Sequence, residues 1–302
     1  MKMKKIAGLF FVIFWALYLS GCSMFPAGPQ PSDVNHWQVG TSAGRLGRLT
    51  ENQLAQLKQA GFDCIEIGLD RIRSADDFAA KIEQARQLQQ SAQITGIKIW
   101  SIHIPYGRDI DISLCDPANR EKALEEVSRM ISLCEYIKPE KLVIHASFEP
   151  VPENERAQRF EACKESLAVL VKTAAVYNAR LTVECLPRTC LGNTSSEILD
   201  LINAIDGLEV CCDVNHLLQE TPQEFIKRVG SPITTLHISD YDGVDERHWL
   251  PGQGIINWNN VLDSLVNIEY QGPFMFESAG TAREKIEVWN KLKTDYLLSV
   301  DK

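Results

Sequence analysis

The chain has 302 residues, 45% of them hydrophobic, with a formal charge of −9 and nine cysteines. That is enough apolar sequence for one sizeable core, while the acidic balance argues against a surface for phosphate backbones, which requires clustered Lys and Arg. The cysteines lack paired Cys-x-x-Cys spacing, which argues against a zinc ribbon or a dithiol redox centre.

Three lysines lie within Met1–Lys5, and Ile6–Leu19 is almost wholly apolar before Leu19-Ser20-Gly21-Cys22. A charged start, a short apolar run and small residues at its end predict a secretory signal; the run is too short for a comfortable bilayer crossing. Leu-Ser-Gly-Cys resembles a bacterial lipobox, which implies cleavage before Cys22 and a lipid on its thiol. Ser23 follows, so the Asp that marks inner-membrane retention in many such lipoproteins is missing. Losing residues 1–21 removes three lysines and no acid, which takes the charge from −9 to −12. The next stretch holds three prolines and a glycine between Phe25 and Ser32 and reads as a tether. The expected organisation is therefore a signal peptide over 1–21, a lipidated Cys22 with tether over 22–36, and one domain over 37–302. That domain is expected to work outside the cytoplasm, held to a membrane by its anchor.

From residue 37 onward strands and helices alternate. Strands are expected near 37–41, 63–68, 97–104, 141–146, 180–185, 208–213, 233–238 and 272–277. Helix start and stop signals lie between them: Thr50 and Gly61 bracket 51–60, Ser74 with Asp77 opens a second helix, and Asp116-Pro117 opens a long one ending near Tyr136. Thr221-Pro222 starts another that Gly230 stops, and Thr281 with Glu284 resembles a capping box. Eight such units without a linker predict a closed parallel (β/α)8 barrel. The competing open doubly wound sheet lacks its Gly-x-Gly-x-x-Gly turn.

Four strands end in a metal-ligand type: Val183-Glu184, Cys212-Asp213, Leu236-His237 and Phe276-Glu277. Alternation puts Thr182 with Glu184, Thr235 with His237, Ser101 with His103 and Val143 with His145 on one face, away from their apolar neighbours. Active sites of such barrels lie at the C-terminal strand ends, so these side chains should converge on one mouth. Glu66 is expected to point inward too, either to the site or to a core Arg or Lys. Asp240 either binds substrate or caps its loop. Trp100 is expected to face the helices, and Trp249 sits on a loop that could cover a sugar face. Cys211 and Cys212 should face opposite sides of their strand. Most cysteines read as small core residues, and nothing supports a Cys185–Cys190 bridge.

In their order, Ser101-Ile102-His103, Val143-Ile144-His145, Val183-Glu184, Asp213-Val214-Asn215-His216, Leu236-His237-Ile238-Ser239-Asp240, His248-Trp249-Leu250-Pro251-Gly252-Gln253-Gly254 and Phe276-Glu277-Ser278 resemble the xylose-isomerase-like TIM-barrel superfamily. That superfamily holds sugar isomerases, epimerases and apurinic-site endonucleases. For an epimerase the resemblance implies one divalent metal held by Glu184, Asp213, His237 and Glu277. Such an oxygen-rich set suits manganese best, with magnesium, cobalt or zinc as alternatives. Glu184 and Glu277 would exchange the substrate proton, His216 would orient a substrate oxygen, and His103, His145, Glu66, Asp240 and His248 would line the pocket. A small carbohydrate is the implied partner, and pairing of two barrels is common in the family.

Three other functions remain in view. A lyase or hydratase on 3-keto-glycosides or derived unsaturated sugars would use the same metal. The endonuclease branch uses nine ligands, for which His103, His145, Glu184, Asp213, His216, His237, Glu246, His248 and Glu277 are candidates, with Glu246 standing where that branch carries Asp. The export signal, the acidic charge and the lack of a basic arm argue against nucleic acid as partner. A non-catalytic carbohydrate-binding lipoprotein would not need the opposed pair Glu184 and Glu277.

Overall fold

The computed structural model describes residues 33–300. The signal segment, the lipobox with Cys22 and most of the tether lie outside these residues. Strands β1 (Val39–Arg45), β2 (Cys64–Gly68), β3 (Lys98–His103) and β4 (Lys141–His145) are followed by β5 (Arg180–Glu184), β6 (Glu209–Asp213), β7 (Ile233–His237) and β8 (Phe274–Phe276). All seven ladders are parallel, in the order β7-β6-β5-β4-β3-β2-β1-β8. The ring closes between β7 and β8 through an isolated bridge, where the Ile238 amide donates to Met275 (2.8 Å) and the Glu277 amide to Ile238 (3.0 Å). This is a (β/α)8 barrel that is nearly continuous around its circumference.

Helices α1 (Glu51–Ala60) and α2 (Ala75–Thr95) follow the first two strands, and α3 (Pro117–Ile131) with a single turn α4 (Cys134–Ile137) follows β3. Then come α5 (Glu153–Val176), α6 (Ser195–Ala204), α7 (Pro222–Val229), α8 (Trp258–Asn267) and α9 (Ala282–Val300). Their starts are set by local chemistry. Thr50 and Gln53 form a reciprocal capping box on α1, as do Thr221 and Glu224 on α7. The Thr281 amide donates to Glu284 at 2.7 Å, and the Thr281 hydroxyl accepts the Glu284 amide at 3.3 Å, at the start of α9. Gly61 ends α1 at φ 116°, a conformation that favours glycine.

Two expectations change. The long helix from Asp116 to Tyr136 is broken after Ile131. There the Ser132 hydroxyl donates to the Arg129 carbonyl (2.7 Å), and the Leu133 amide turns back three residues to Met130 (3.1 Å). A hydroxyl that competes for a helix carbonyl tightens the turn, and here Leu133, Cys134 and Ile137 are buried as a result. The second change concerns Trp100. The β2–β3 register shifts between Ile65 and Glu66, so Ile65 pairs with Ile99 and Glu66 with Ser101, leaving Trp100 as the extra residue. Trp100 therefore turns into the barrel instead of toward the helices. It packs with Cys64 and Met275, and its indole N–H donates to the Thr235 hydroxyl across the barrel at 3.1 Å.

These side chains floor the barrel beneath the site. Gly40 belongs to the same layer, since a Cβ there would sit 2.6 Å from the Met275 methyl and 2.9 Å from Cys64 Sγ. The outward residues Ile65, Ile67, Leu142, Ile144, Leu181, Val183, Cys212 and Leu236 join the main core under the helices. Cys211 faces the interior beside His237, so the two adjacent cysteines do face opposite sides. All eight described cysteines are free thiols, Cys185 and Cys190 included.

Candidate functional site

Inward positions at the C-terminal strand ends bring Glu184, Asp213, His237 and Glu277 together at the mouth. His237 is fully buried at their centre. Its Nδ1 lies 2.8 Å from Glu277 Oε2, 3.1 Å from Glu184 Oε1 and 3.8 Å from Asp213 Oδ2. Its other nitrogen, Nε2, lies 3.0 Å and 3.1 Å from the two oxygens of Glu66. Glu66 also accepts the Ser101 hydroxyl at 2.7 Å. Glu66 thus points inward as expected, but its partner is His237, not a core Arg or Lys. A carboxylate on the far nitrogen fixes the ring and its tautomer, leaving the near nitrogen free for a ligand.

Three more imidazoles repeat this logic with backbone partners. His103 Nδ1 is 2.9 Å from the Ile104 carbonyl, His216 Nδ1 3.1 Å from that of Cys185, and His248 Nδ1 3.1 Å from that of Glu277. A carbonyl only accepts, so each Nδ1 carries the proton and each Nε2 faces into the site. His103 Nε2 and His145 Nε2 then lie 3.1 Å and 3.0 Å from Glu184 Oε2. His216 Nε2 lies 2.9 Å from Glu246 Oε2, and His248 Nε2 3.8 Å from the same oxygen. Arg188, itself bound to Glu149 and Asp245, holds Glu246 at 2.7 Å.

So many buried carboxylates require positive charge. Burial alone would lower the pKa of His103, but its hydrogen bond to Glu184 and the carboxylates around it raise it to about 9. Burial raises that of Asp213, and with Glu184 and Glu277 nearby it reaches about 6 despite His216 and His237. Burial acts on Glu277 in the same sense, but His237 outweighs it and brings the carboxyl down to about 2. Glu246 is brought to about 2 by the His216 hydrogen bond and Arg188, against burial.

The donor set fits a divalent cation. Glu184, Asp213, His237 and Glu277 each offer one ligand atom, all within 4.8 Å of one another. Asp213 accepts the Asn215 amide on Oδ1 (2.7 Å), while its buried Oδ2 has no hydrogen-bond partner. A desolvated carboxylate oxygen without a partner is costly unless a ligand completes it. Two further groups meet the same distance condition: His103, His145 and Glu184, and His216, Glu246 and His248.

A pocket of about 300 Å³ lies over these groups, lined by His103, His145, Glu184, His216, His248 and Glu277 among others. Tyr106, which the sequence reading missed, is 58% exposed at its rim and stacks on His145 with ring centroids 4.0 Å apart. Its one signal was position, an aromatic three residues after an inward strand end. Asp240 is not part of this pocket. Its carboxylate is buried and accepts the amides of Tyr241, Gly252 and Ile256 and the Trp258 indole, so it caps the loop that carries His248. Trp249 is on the loop but lines neither the pocket nor the wider cleft beside it.

Fold and site together define a single parallel barrel with a carboxylate- and imidazole-rich centre at its mouth. The model of the xylose isomerase-like TIM barrel family matches residues 54–292, and the chain belongs to that family. It is 26% identical over 260 residues to a D-psicose 3-epimerase of Enterocloster bolteae, covering 78% of this chain and 80% of that protein. A probable endonuclease 4 of Persephonella marina is 23% identical over 262 residues, with 78% and 89% covered. Among solved structures, a D-tagatose 3-epimerase-like protein superposes with a TM-score of 0.73 at 22% identity, over 87% of this chain and 99% of that one.

Proposed function

We propose that this protein is a metal-dependent sugar isomerase or epimerase acting on a keto- or aldo-sugar. The observation that carries the reading is the convergence of Glu184 and Glu277 on His237 Nδ1, with Asp213 completing the cradle. When bound, a divalent cation would polarise the sugar carbonyl and its neighbouring hydroxyl and so acidify the C–H between them. One glutamate takes that proton as its carboxylate, and the electron pair moves onto the carbonyl oxygen as an enediolate. A proton returned through the other glutamate reaches the opposite face for an epimer or the adjacent carbon for an isomer. His103 and His216, with Nδ1 tied to the backbone, orient sugar oxygens through Nε2. Tyr106 on His145 offers a flat face to the ring.

Glu184→Gln and Glu277→Gln are each expected to abolish entry of solvent deuterium into a ketose such as D-psicose, with the melting profile retained. Full exchange in both variants would refute the assignment.

A second reading, a phosphodiesterase, is favoured by one observation: the nine side chains from His103 to Glu277 form three ligand groups, not one. Metal content per chain separates the two. One manganese- or cobalt-like ion supports the sugar enzyme; about three zinc ions with cleavage of abasic duplex DNA would replace it. The lipoprotein reading of residues 1–22 rests on sequence, and a Cys22→Ser chain is expected to leave the membrane fraction.

A further inference from the structure

Beside the metal cradle, at the C-terminal ends of β1 and β2, lies a cleft of about 930 Å³ that shares Glu277, His103 and Tyr106 with the site. Its far wall carries Arg45, Arg48, Arg71, Arg73 and Lys81. Five cations on one wall are notable in a chain of net charge −9. Their own partners do not neutralise them. Arg45 (2.8 Å), Lys81 (3.7 Å) and Arg48 (3.9 Å) share the single carboxylate of Asp70. Arg71 is matched by Glu126 through two bonds of 2.6 Å and 2.7 Å, and it also meets Asp109 at 3.4 Å. Arg73 is exposed, and among the described residues its guanidinium has no hydrogen bond or ion pair. Only its backbone amide is engaged, donating to Asp77 Oδ2 at 2.8 Å. Counting Asp77 against Arg73 and both Glu126 and Asp109 against Arg71, five cations face four carboxylates and the wall keeps a surplus of one positive charge. The lining includes Gly44 and Gly68, and a Cβ at Gly44 would meet nothing within 4 Å, so the backbone there is open to a ligand.

We propose that this wall is a subsite for a negatively charged group on the sugar, so that the substrate is an acidic saccharide whose anion lies remote from the reacting carbon. This rests on the sugar-enzyme reading above. The reacting end is held at Glu277, and the cleft continues from there to the arginines. A small positive surplus within one cleft, with the Arg73 guanidinium unengaged among the described residues, suits a single carboxylate, sulfate or phosphate. A duplex would need a longer run of unneutralised cations, because its affinity scales with the number of phosphates contacted. Guanidinium groups bind such oxygens in pairs, which gives direction as well as attraction.

The test compares equilibrium binding of D-fructose and D-fructuronate to the metal-loaded full chain by calorimetry. The two differ by one carboxylate at the end away from the carbonyl. D-Fructuronate is expected to bind about tenfold tighter or more, the range of a charge-assisted hydrogen bond. Arg73→Gln should reduce the preference, and Arg45→Gln with Arg73→Gln should bring it close to one, with unchanged melting temperature. D-Fructose 6-phosphate identifies the source of the anion: whichever acid binds tighter is the natural chemistry, and either sustains the subsite. If neither acid binds tighter than D-fructose the proposal is overturned, as it is by a preference that survives the double variant. Loss in the variants of abasic-duplex binding alone overturns it too. Deuterium exchange run in parallel keeps the two readings apart. Exchange without preference refutes the subsite alone, and preference without exchange refutes the isomerase alone.

Discussion

Glu66 is not one of the four clustered metal-ligand candidates, yet it should control how tightly they hold a cation. Its two oxygens flank His237 Nε2 at 3.0 Å and 3.1 Å, and the Ser101 hydroxyl fixes it from behind at 2.7 Å. The pair is buried, so water does not compete for the Nε2 proton. Removing a carboxylate that orients a ligating imidazole typically weakens metal affinity by 10–100-fold, about 1.4–2.8 kcal/mol. Glu66→Gln keeps the shape and an acceptor oxygen but loses the charge, and charge-assisted bonds are roughly twice as strong as neutral ones. The Gln variant should therefore fall near the lower end, about tenfold, and Glu66→Ala near the upper end. The Ala variant also strands the His237 N–H and the Ser101 hydroxyl, so it should lose about 1–3 kcal/mol of stability as well. Competition for manganese against a fluorescent chelator measures the affinity, and melts with and without metal separate it from stability. A Gln variant that binds manganese within twofold of wild type would show that Glu66 merely fills the barrel.

Trp100→Ala should cost about 3–5 kcal/mol in denaturant unfolding, because the ring fills the barrel floor against Cys64 and Met275; a loss below about 1 kcal/mol would place the ring outside the packed interior. Asp240→Asn sets an amide N–H against the Gly252 and Trp258 donors, and should cost about 1–3 kcal/mol and expose the loop from Tyr241 to Asn257 to protease. Wild-type stability and protease resistance would refute the capping role. Burial raises the thiols of Cys64, Cys134 and Cys190 to about 12. Of the eight described cysteines only Cys115 is partly exposed, so Ellman's reagent at neutral pH should titrate one of them quickly. Several fast thiols in the folded protein would contradict the packing.

The barrel and much of its centre were legible in the order of residues. A strand has a period of two, so apolar runs ending in Glu184, Asp213, His237 and Glu277 announce both which face points inward and where each strand stops. Helix caps such as Thr50 with Gln53 and Thr221 with Glu224 are equally local, since both partners lie within one turn. What failed was whatever depended on an irregularity or a distant partner. One extra residue in β3 reversed Trp100, because parity counts residues and a bulge breaks the count. Ser132 gave no sign that its hydroxyl would take a helix carbonyl.

Whether Asp240 faced a ligand or its own loop depended on where the amides of Gly252 and Ile256 and the Trp258 indole would fold. Glu66 could be assigned inward but not to His237, which is 171 residues away. The acidic net charge likewise hid the basic wall, since a sum over the chain carries no position. The sequence by itself determined the alternation, the strand ends and the ligand types, all set by contacts within a few residues. Only the tertiary structure decided which carboxylate serves which imidazole and where the arginines gather. Those pairings join residues far apart in the chain, brought together only when the barrel closes.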